Sequence, residues 1–313
     1  MLNLSEINEW KENGYCLIKN LIDINLMNNC IKFVNNRFYD EKTASKDFGS
    51  NGEFDFPSGK IIDYLTINEN IIKCIKQLLS NENILLIQSD AWGKAGSINK
   101  GKYNNQDQRM HMDYGNNTFL HTSEWNNPEA VGMIIYFSDT NITGGQTAIV
   151  PKKNNEDLYK PPYIRMPGYN KYLFYNDKNT TEEYFKKTDI NIYNFRNKLY
   201  ENEFLVNAEL GDILFYRLDV WHRGTPVKLG KVRNVMNLLW KKRDCFWINN
   251  WNQGWTRKMY YGFIEKFFIE LNPEQRSVLG VPEPGHKYWN KKNIQYLNDR
   301  YPGIDLEPYL SKL

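Results

Sequence analysis

The chain reads as a mainly β protein with flanking helices, built on a double-stranded β-helix, or jelly roll. Three observations lead there. Short apolar runs of strand length recur between residues 84 and 240, bounded by Gly, Pro, Asn or Asp. Amphipathic helical patterns lie chiefly on either side of that stretch. No internal repeat or linker-like segment divides the 313 residues, so one domain is expected. Its core would span about 84–242, with helical support at 1–80 and a helical cap at 247–313.

Each element has a local reason. Ser5 precedes a short helical stretch, 6–13, that Gly14 stops. Residues 15–19 read as a strand, and Leu26, Cys30, Ile31 and Val34 recur at helical spacing up to about Phe38. Residues 40–60 read as a loop, 71–79 as a helix and 84–92 as a buried strand. A long polar loop is expected over 93–108. Strands follow at 131–137 and 146–150, separated by a turn at 141–145 and ended by Pro151. Residues 152–204 form a polar insertion with a helix near 190–201. The Gly211-Asp212 turn launches the strand 213–216, and a further strand covers 233–240. In the tail, helices are expected at 255–270, from Asn272-Pro273 to Gly280, and at 289–300.

Composition narrows the function classes. With 41% hydrophobic and 25% charged residues the chain is globular rather than disordered. A net charge of +3, with basic runs as short as Lys241-Lys242-Arg243, gives no nucleic-acid footprint. Cys16, Cys30, Cys74 and Cys245 show no CxxC spacing and are expected as buried free thiols in a reducing compartment. No apolar run is long enough for a membrane span. The cytoplasm is the expected location. Ser311-Lys312-Leu313 would be a peroxisomal address in a eukaryote, so the peroxisome stands as the alternative. The partner is a small molecule, and the protein is expected to be a monomer or homodimer.

The chemistry centres on His111-Met112-Asp113. On a strand, residues i and i+2 share a face, so His111 and Asp113 can offer a nitrogen and an oxygen to one ion. His222, in Val220-Trp221-His222-Arg223, would add a second imidazole and complete a 2-His-1-carboxylate facial triad. Such a triad leaves positions open on the metal, as in non-haem Fe(II) oxygenases. A lone His-x-Asp is more often a surface loop; a later His and Arg at this spacing, in a chain with only four His, favour the metal site. Arg233, eleven residues after His222, opens an apolar run and can clamp a dicarboxylate with its planar fork. The strands of His222 and Arg233 are expected to be antiparallel neighbours joined by residues 224–231, which hold no Asp or Glu. Arg223 should point to the opposite face from His222. His121 reads as a loop or supporting His, His286 as a surface His, and Phe246, Trp247, Trp251 and Trp255 as packing.

Over about residues 5–240 the chain resembles the phytanoyl-CoA dioxygenase-like Fe(II)/2-oxoglutarate oxygenases. The resemblance is carried by Trp10-Lys11-Glu12-Asn13-Gly14-Tyr15, His111-Met112-Asp113, Gly144-Gly145-Gln146-Thr147-Ala148-Ile149-Val150-Pro151, Gly211-Asp212-Ile213-Leu214-Phe215, His222 and Arg233. It implies a cupin-like core in which His111, Asp113 and His222 hold Fe(II). It implies also that 2-oxoglutarate, paired with Arg233, is consumed with O2 to give succinate and CO2 while an unactivated C–H of a small organic substrate is hydroxylated. The chain departs from the family at four places. Met112 stands where Gln is frequent. Gly224 takes the place of a small hydroxyl residue, leaving the next residue, Thr225, as the cosubstrate candidate. The segment 151–208 and the tail 247–309 are additions, expected to cap the barrel mouth and shape the substrate pocket. Related halogenases lack the carboxylate; Asp113 therefore points to hydroxylation, desaturation or ring formation. The competing reading is a non-catalytic jelly-roll binding protein that retains a metal site.

Overall fold

The computed structural model describes residues 1–44, 54–55, 58, 60–96, 107–114, 118, 120, 122–160, 177–248, 268–273, 276 and 281–313. Among them the chain opens with helix α1 (Leu4–Asn13), strand β1 (Tyr15–Ile18) and helix α2 (Ile24–Arg37). Asn3, not Ser5, caps α1: its side chain accepts from Glu6 N–H while the Glu6 carboxylate takes the Asn3 N–H, at 3.0 and 2.7 Å. That reciprocal pair satisfies two free helix-end donors and starts the helix earlier than expected. Asp23 caps α2 by accepting from Asn25 and Leu26 N–H. Strand β2 (Phe54–Asp55) lies in the stretch expected as loop, and helices α3 (Asp63–Thr66) and α4 (Glu69–Leu79) follow.

The barrel strands are β3 (Ile84–Ala95), β4 (Ala130–Tyr136), β5 (Thr147–Ile149), β6 (Phe204–Val206), β7 (Ile213–Arg217), β8 (His222–Gly224) and β9 (Val232–Lys242). With β1 and β2 they form a six-stranded sheet in the order β1-β7-β4-β9-β3-β2 and a three-stranded sheet in the order β6-β5-β8, all pairings antiparallel. The core is therefore two packed antiparallel sheets, the jelly roll the sequence pattern anticipates.

Both faces of the large sheet are buried, and alternation sorts the side chains. Val131, Met133, Ile135, Ile213, Phe215, Met236 and Leu238 pack outward against Trp10, Val34, Ile71, Ile75 and Leu78 of α1, α2 and α4. Ile134, Tyr136, Leu214, Tyr216, Val235 and Leu239 point into the barrel. Burial on both faces explains why β4 and β7 read as continuous apolar runs. Strand β3 runs on through Gly93 to Ala95, where a polar loop is expected; the Lys94 stem and ammonium are buried, at 2% exposure.

The two additions go to different places. The tail joins the inner cluster: Trp247, Ile248, Trp289, Leu297, Tyr301 and Tyr309 pack with Tyr114, Tyr216 and Leu239. It meets the barrel at the end where β4 begins and β9 finishes, with the Lys241 ammonium donating to the Ile248 carbonyl. Its helix Lys291–Arg300 starts at Asn290, which accepts from Asn293 N–H. The helices Lys178–Thr188 and Ile190–Glu201 instead lie on the outer face of the small sheet, where Leu199 packs with Met110, Met112, Val150 and Trp221. They back the barrel rather than cap its mouth. The reason is that Met110, Met112 and Trp221, alternating with the inward residues, present an apolar outer face that needs cover. The four cysteines are free and buried. Among the described residues no helix is long and apolar enough to cross a membrane. The helix expected at 255–270 lies mostly outside the described residues, as do Gly280, His121, Trp251 and Trp255.

Candidate metal centre

His111 and His222 face each other across an antiparallel bridge, His111 N–H to His222 C=O at 2.9 Å and the reverse at 2.8 Å. Asp113 follows two residues on, and single ligand atoms of His111, Asp113 and His222 all lie within 4.8 Å of one another. Each imidazole is oriented by its own strand: Nδ1 of His111 lies 3.1 Å from the Arg109 carbonyl and Nδ1 of His222 lies 3.0 Å from the Val220 carbonyl. A carbonyl only accepts, so each Nδ1 carries a proton and each Nε2 is the ring nitrogen left to face a metal. Those Nε2 atoms each sit 3.6 Å from one Asp113 oxygen. Two imidazoles and a carboxylate aimed at one point, all at least nine-tenths buried, form the donor set a divalent transition metal takes.

The electrostatics fit that use. Burial pushes the His111 imidazole down to about 3, helped by the charges of Arg109 and His222, so it stays unprotonated and ready to bind metal. Burial works to raise the Asp113 carboxyl, but the two imidazoles and a Tyr216 hydroxyl hold it below its ordinary value. Tyr216 donates to Asp113 Oδ2 at 2.8 Å. Burial and the Asp113 charge keep the phenol itself protonated, so it remains a donor. Gly132 makes room for this tyrosine: a Cβ there would lie 2.3 Å from the ring.

Arg233 stands on β9 of the large sheet, whereas His222 stands on β8 of the small one. The expectation of adjacent antiparallel strands is thus wrong; residues 224–231 cross between sheets, bridging Gly144 through Val227 and Gly96 through Leu229. The crossing still directs Arg233 inward, on the face shared with Val235 and Leu239. Its guanidinium is 5% exposed and lies over the Trp92 ring at 5.2 Å. Nη1 donates to the Gly145 carbonyl at 3.0 Å, and Nε has no partner. No carboxylate pairs with it among the described residues. Gly145 permits the close approach: its φ is +74°, and a Cβ would meet Arg233 Cδ at 3.0 Å.

Thr225 is buried nearby, its hydroxyl donating to the Gln146 carbonyl at 2.9 Å. It would have to turn from Gln146 to donate to a ligand. Arg223, as expected, points the other way, into Glu203 and Asp107. His286 packs on Phe246 and Trp247, outside the triad.

Sequence reasoning missed four residues here. Tyr216 orients Asp113, and Arg109 lies close enough to His111 to influence it. Lys94 donates to the Thr225 carbonyl at 3.0 Å. Glu129, buried beneath the tail, accepts from Tyr114 and from Trp247. Arg109 had a signal, since it stands two residues before His111 and shares its face. The other three depend on contacts between segments that only the fold brings together.

No family model matches the chain, and no curated protein matches it. Solved structures do share its fold. A non-haem α-ketoglutarate-dependent carbocyclase, SnoK from nogalamycin biosynthesis, aligns with a TM-score of 0.55 at 13% identity, over 81% of this chain and 89% of that one. The epimerase SnoN, in complex with Fe3+, α-ketoglutarate and nogalamycin RO, aligns with a TM-score of 0.52 at 12% identity, over 80% and 88%. EctD from S. alaskensis with bound Fe aligns with a TM-score of 0.51 at 12% identity, over 77% and 76%. At these identities the likeness establishes the jelly-roll fold.

Proposed function

We infer that the protein is an Fe(II)- and 2-oxoglutarate-dependent dioxygenase that hydroxylates an unactivated C–H of a small organic substrate, releasing succinate and CO2. One observation carries the reading: a buried His111/Asp113/His222 donor set shares a barrel interior with a buried guanidinium that no carboxylate neutralises among the described residues. An unpaired buried charge costs several kcal/mol, roughly three to five. An external dianion removes that cost. The shared fold with iron- and α-ketoglutarate-bound SnoN is consistent with this assignment.

His111, Asp113 and His222 would hold the iron on one face and leave its other positions to ligands. Arg233 would grip the far carboxylate of 2-oxoglutarate, its plane backed by Trp92. Tyr216 keeps Asp113 oriented and ionised. The buried aromatic residues of the tail that pack with the barrel interior would help to keep it dry. When bound, iron, 2-oxoglutarate and O2 supply the oxidising power for C–H cleavage, and the protein supplies ligation, orientation and dryness.

The test is an anaerobic titration of the Fe(II) protein with 2-oxoglutarate, followed by its charge-transfer absorbance, then succinate release over a panel of metabolites in air. A saturable band and substrate-dependent succinate are expected. Absence of the band at millimolar 2-oxoglutarate would favour the jelly-roll binding protein.

A further inference from the structure

The helix pair behind the small sheet does more than cover apolar surface. Met110, the residue before the proximal ligand, is gripped at both backbone groups. Its N–H donates to the Tyr200 hydroxyl at 3.1 Å, and its carbonyl accepts from Nη1 and Nη2 of Arg196, each at 3.3 Å. Arg196 is 3% exposed and is itself held by Glu182, Nε to Oε1 at 2.7 Å. The Tyr200 hydroxyl donates to the same Glu182 oxygen at 2.9 Å. Glu182 comes from the helix Lys178–Thr188; Arg196 and Tyr200 come from Ile190–Glu201.

The same helix reaches the distal ligand. Arg223, the residue after His222, lies over the Tyr200 ring at 5.5 Å. Glu203, just past the helix, takes Arg223 in a two-pronged pair at 2.7 and 2.6 Å, and Asp107 takes its remaining nitrogen. Tyr200 therefore touches the chain on both sides of the His111–His222 bridge: its hydroxyl at Met110, its ring at Arg223. This is a large set of buried charged groups to spend on apolar cover, which Leu199 and Trp221 already provide. Its contacts fall on the two residues whose backbones set where the ligands stand.

We propose that Arg196, Tyr200 and Glu182 are positioning residues for the metal centre, locking the strands of His111 and His222 in register from the outer face of the barrel. The proposal rests on the metal-site reading above. Partners that orient metal ligands change affinity by about ten- to a hundredfold when removed. Tyr200→Phe keeps the ring and loses the hydroxyl; Arg196→Lys keeps the charge and loses the fork.

The experiment titrates the full-length protein with Co(II), whose visible absorbance reports both affinity and ligand geometry. Tyr200→Phe and Arg196→Lys should each bind Co(II) about tenfold more weakly, with altered bands. Lys187→Ala, on the exposed side of the neighbouring helix, should match wild type. A clamp that only stabilised the fold would lower the thermal midpoint yet leave affinity and bands unchanged in the folded variant. That result, for both substitutions, overturns the proposal. Failure of wild type to take up Co(II) would overturn the metal site itself, and this role with it.

Discussion

Arg233 concentrates the proposed chemistry in one side chain. It is buried, touches Gly145 and Trp92, and meets no carboxylate of the protein among the described residues. Arg233→Lys should retain metal and bind 2-oxoglutarate more weakly, because an ammonium cannot match the bidentate fork. Arg233→Ala should lose a further share, about two to five kcal/mol in all if the pair is fully desolvated. The anaerobic absorbance titration measures both, and equal curves for wild type and Arg233→Ala would remove the clamp. Glu129 offers a second test at this scale. Burial pushes its carboxyl up to about 7, against hydrogen bonds from Tyr114 and Trp247 that work to lower it. Its folded value is above the unfolded one, so its contribution to stability is full below the unfolded value and is lost as pH rises towards 7. Glu129→Gln keeps an acceptor for both donors and removes that loss, stabilising the protein above neutral pH by on the order of 3 kcal/mol. Urea unfolding at about pH 5 and about pH 8 checks the sign; a parallel pH trend in the two proteins would contradict it.

Among the elements, β4 and β7 show how strand pairing reaches the metal. Gly132 on β4 pairs with Tyr216 on β7, and the missing side chain lets the tyrosine ring lie flat across the strand to reach Asp113. Gly132→Ala forces that ring away. The cost should be about 1–3 kcal/mol of overpacking, with weakened metal affinity from the displaced Tyr216 hydroxyl. Thermal unfolding and Co(II) titration separate the two effects. Much at this scale was legible beforehand: β1, β4, β7 and α4 follow from periodicity, because their buried faces are uniformly apolar. The end of β3 was not, because Gly93, Lys94 and Ala95 look like loop until the barrel buries the lysine. The turn expected at 141–145 contains a short helix, Thr140–Thr143, started by Asp139 accepting from Asn141 N–H.

For the molecule as a whole, the tail is part of the barrel's core rather than an appendage. Trp289 packs against Tyr309 with ring centroids 4.5 Å apart, and its Nε1–H is shared by the carbonyls of Pro282 and Glu283. Trp289→Ala should cost about 3–5 kcal/mol in urea unfolding, the usual result of emptying a large aromatic site. A loss under 1 kcal/mol, roughly a surface value, would show the tail packing to be loose. The described helices of the polar insertion took a different course from the one expected. They lie behind the metal-bearing strands because Met110, Met112 and Trp221 present an apolar outer face there.

By itself the sequence determined the residue types of the site and the kind of scaffold. Strand periodicity places His111 and Asp113 on one face, and short apolar runs with turn residues between them describe packed antiparallel sheets, since both signals are local. Only the tertiary structure decided which strands meet. It set His222 against His111 across one bridge and sent Arg233 to the opposite sheet. It brought Tyr216 to Asp113 across 103 positions and Arg196 to Met110 across 86. These contacts depend on sheet register and on the path of a crossing loop, and both are fixed by the simultaneous packing of elements far apart in the chain.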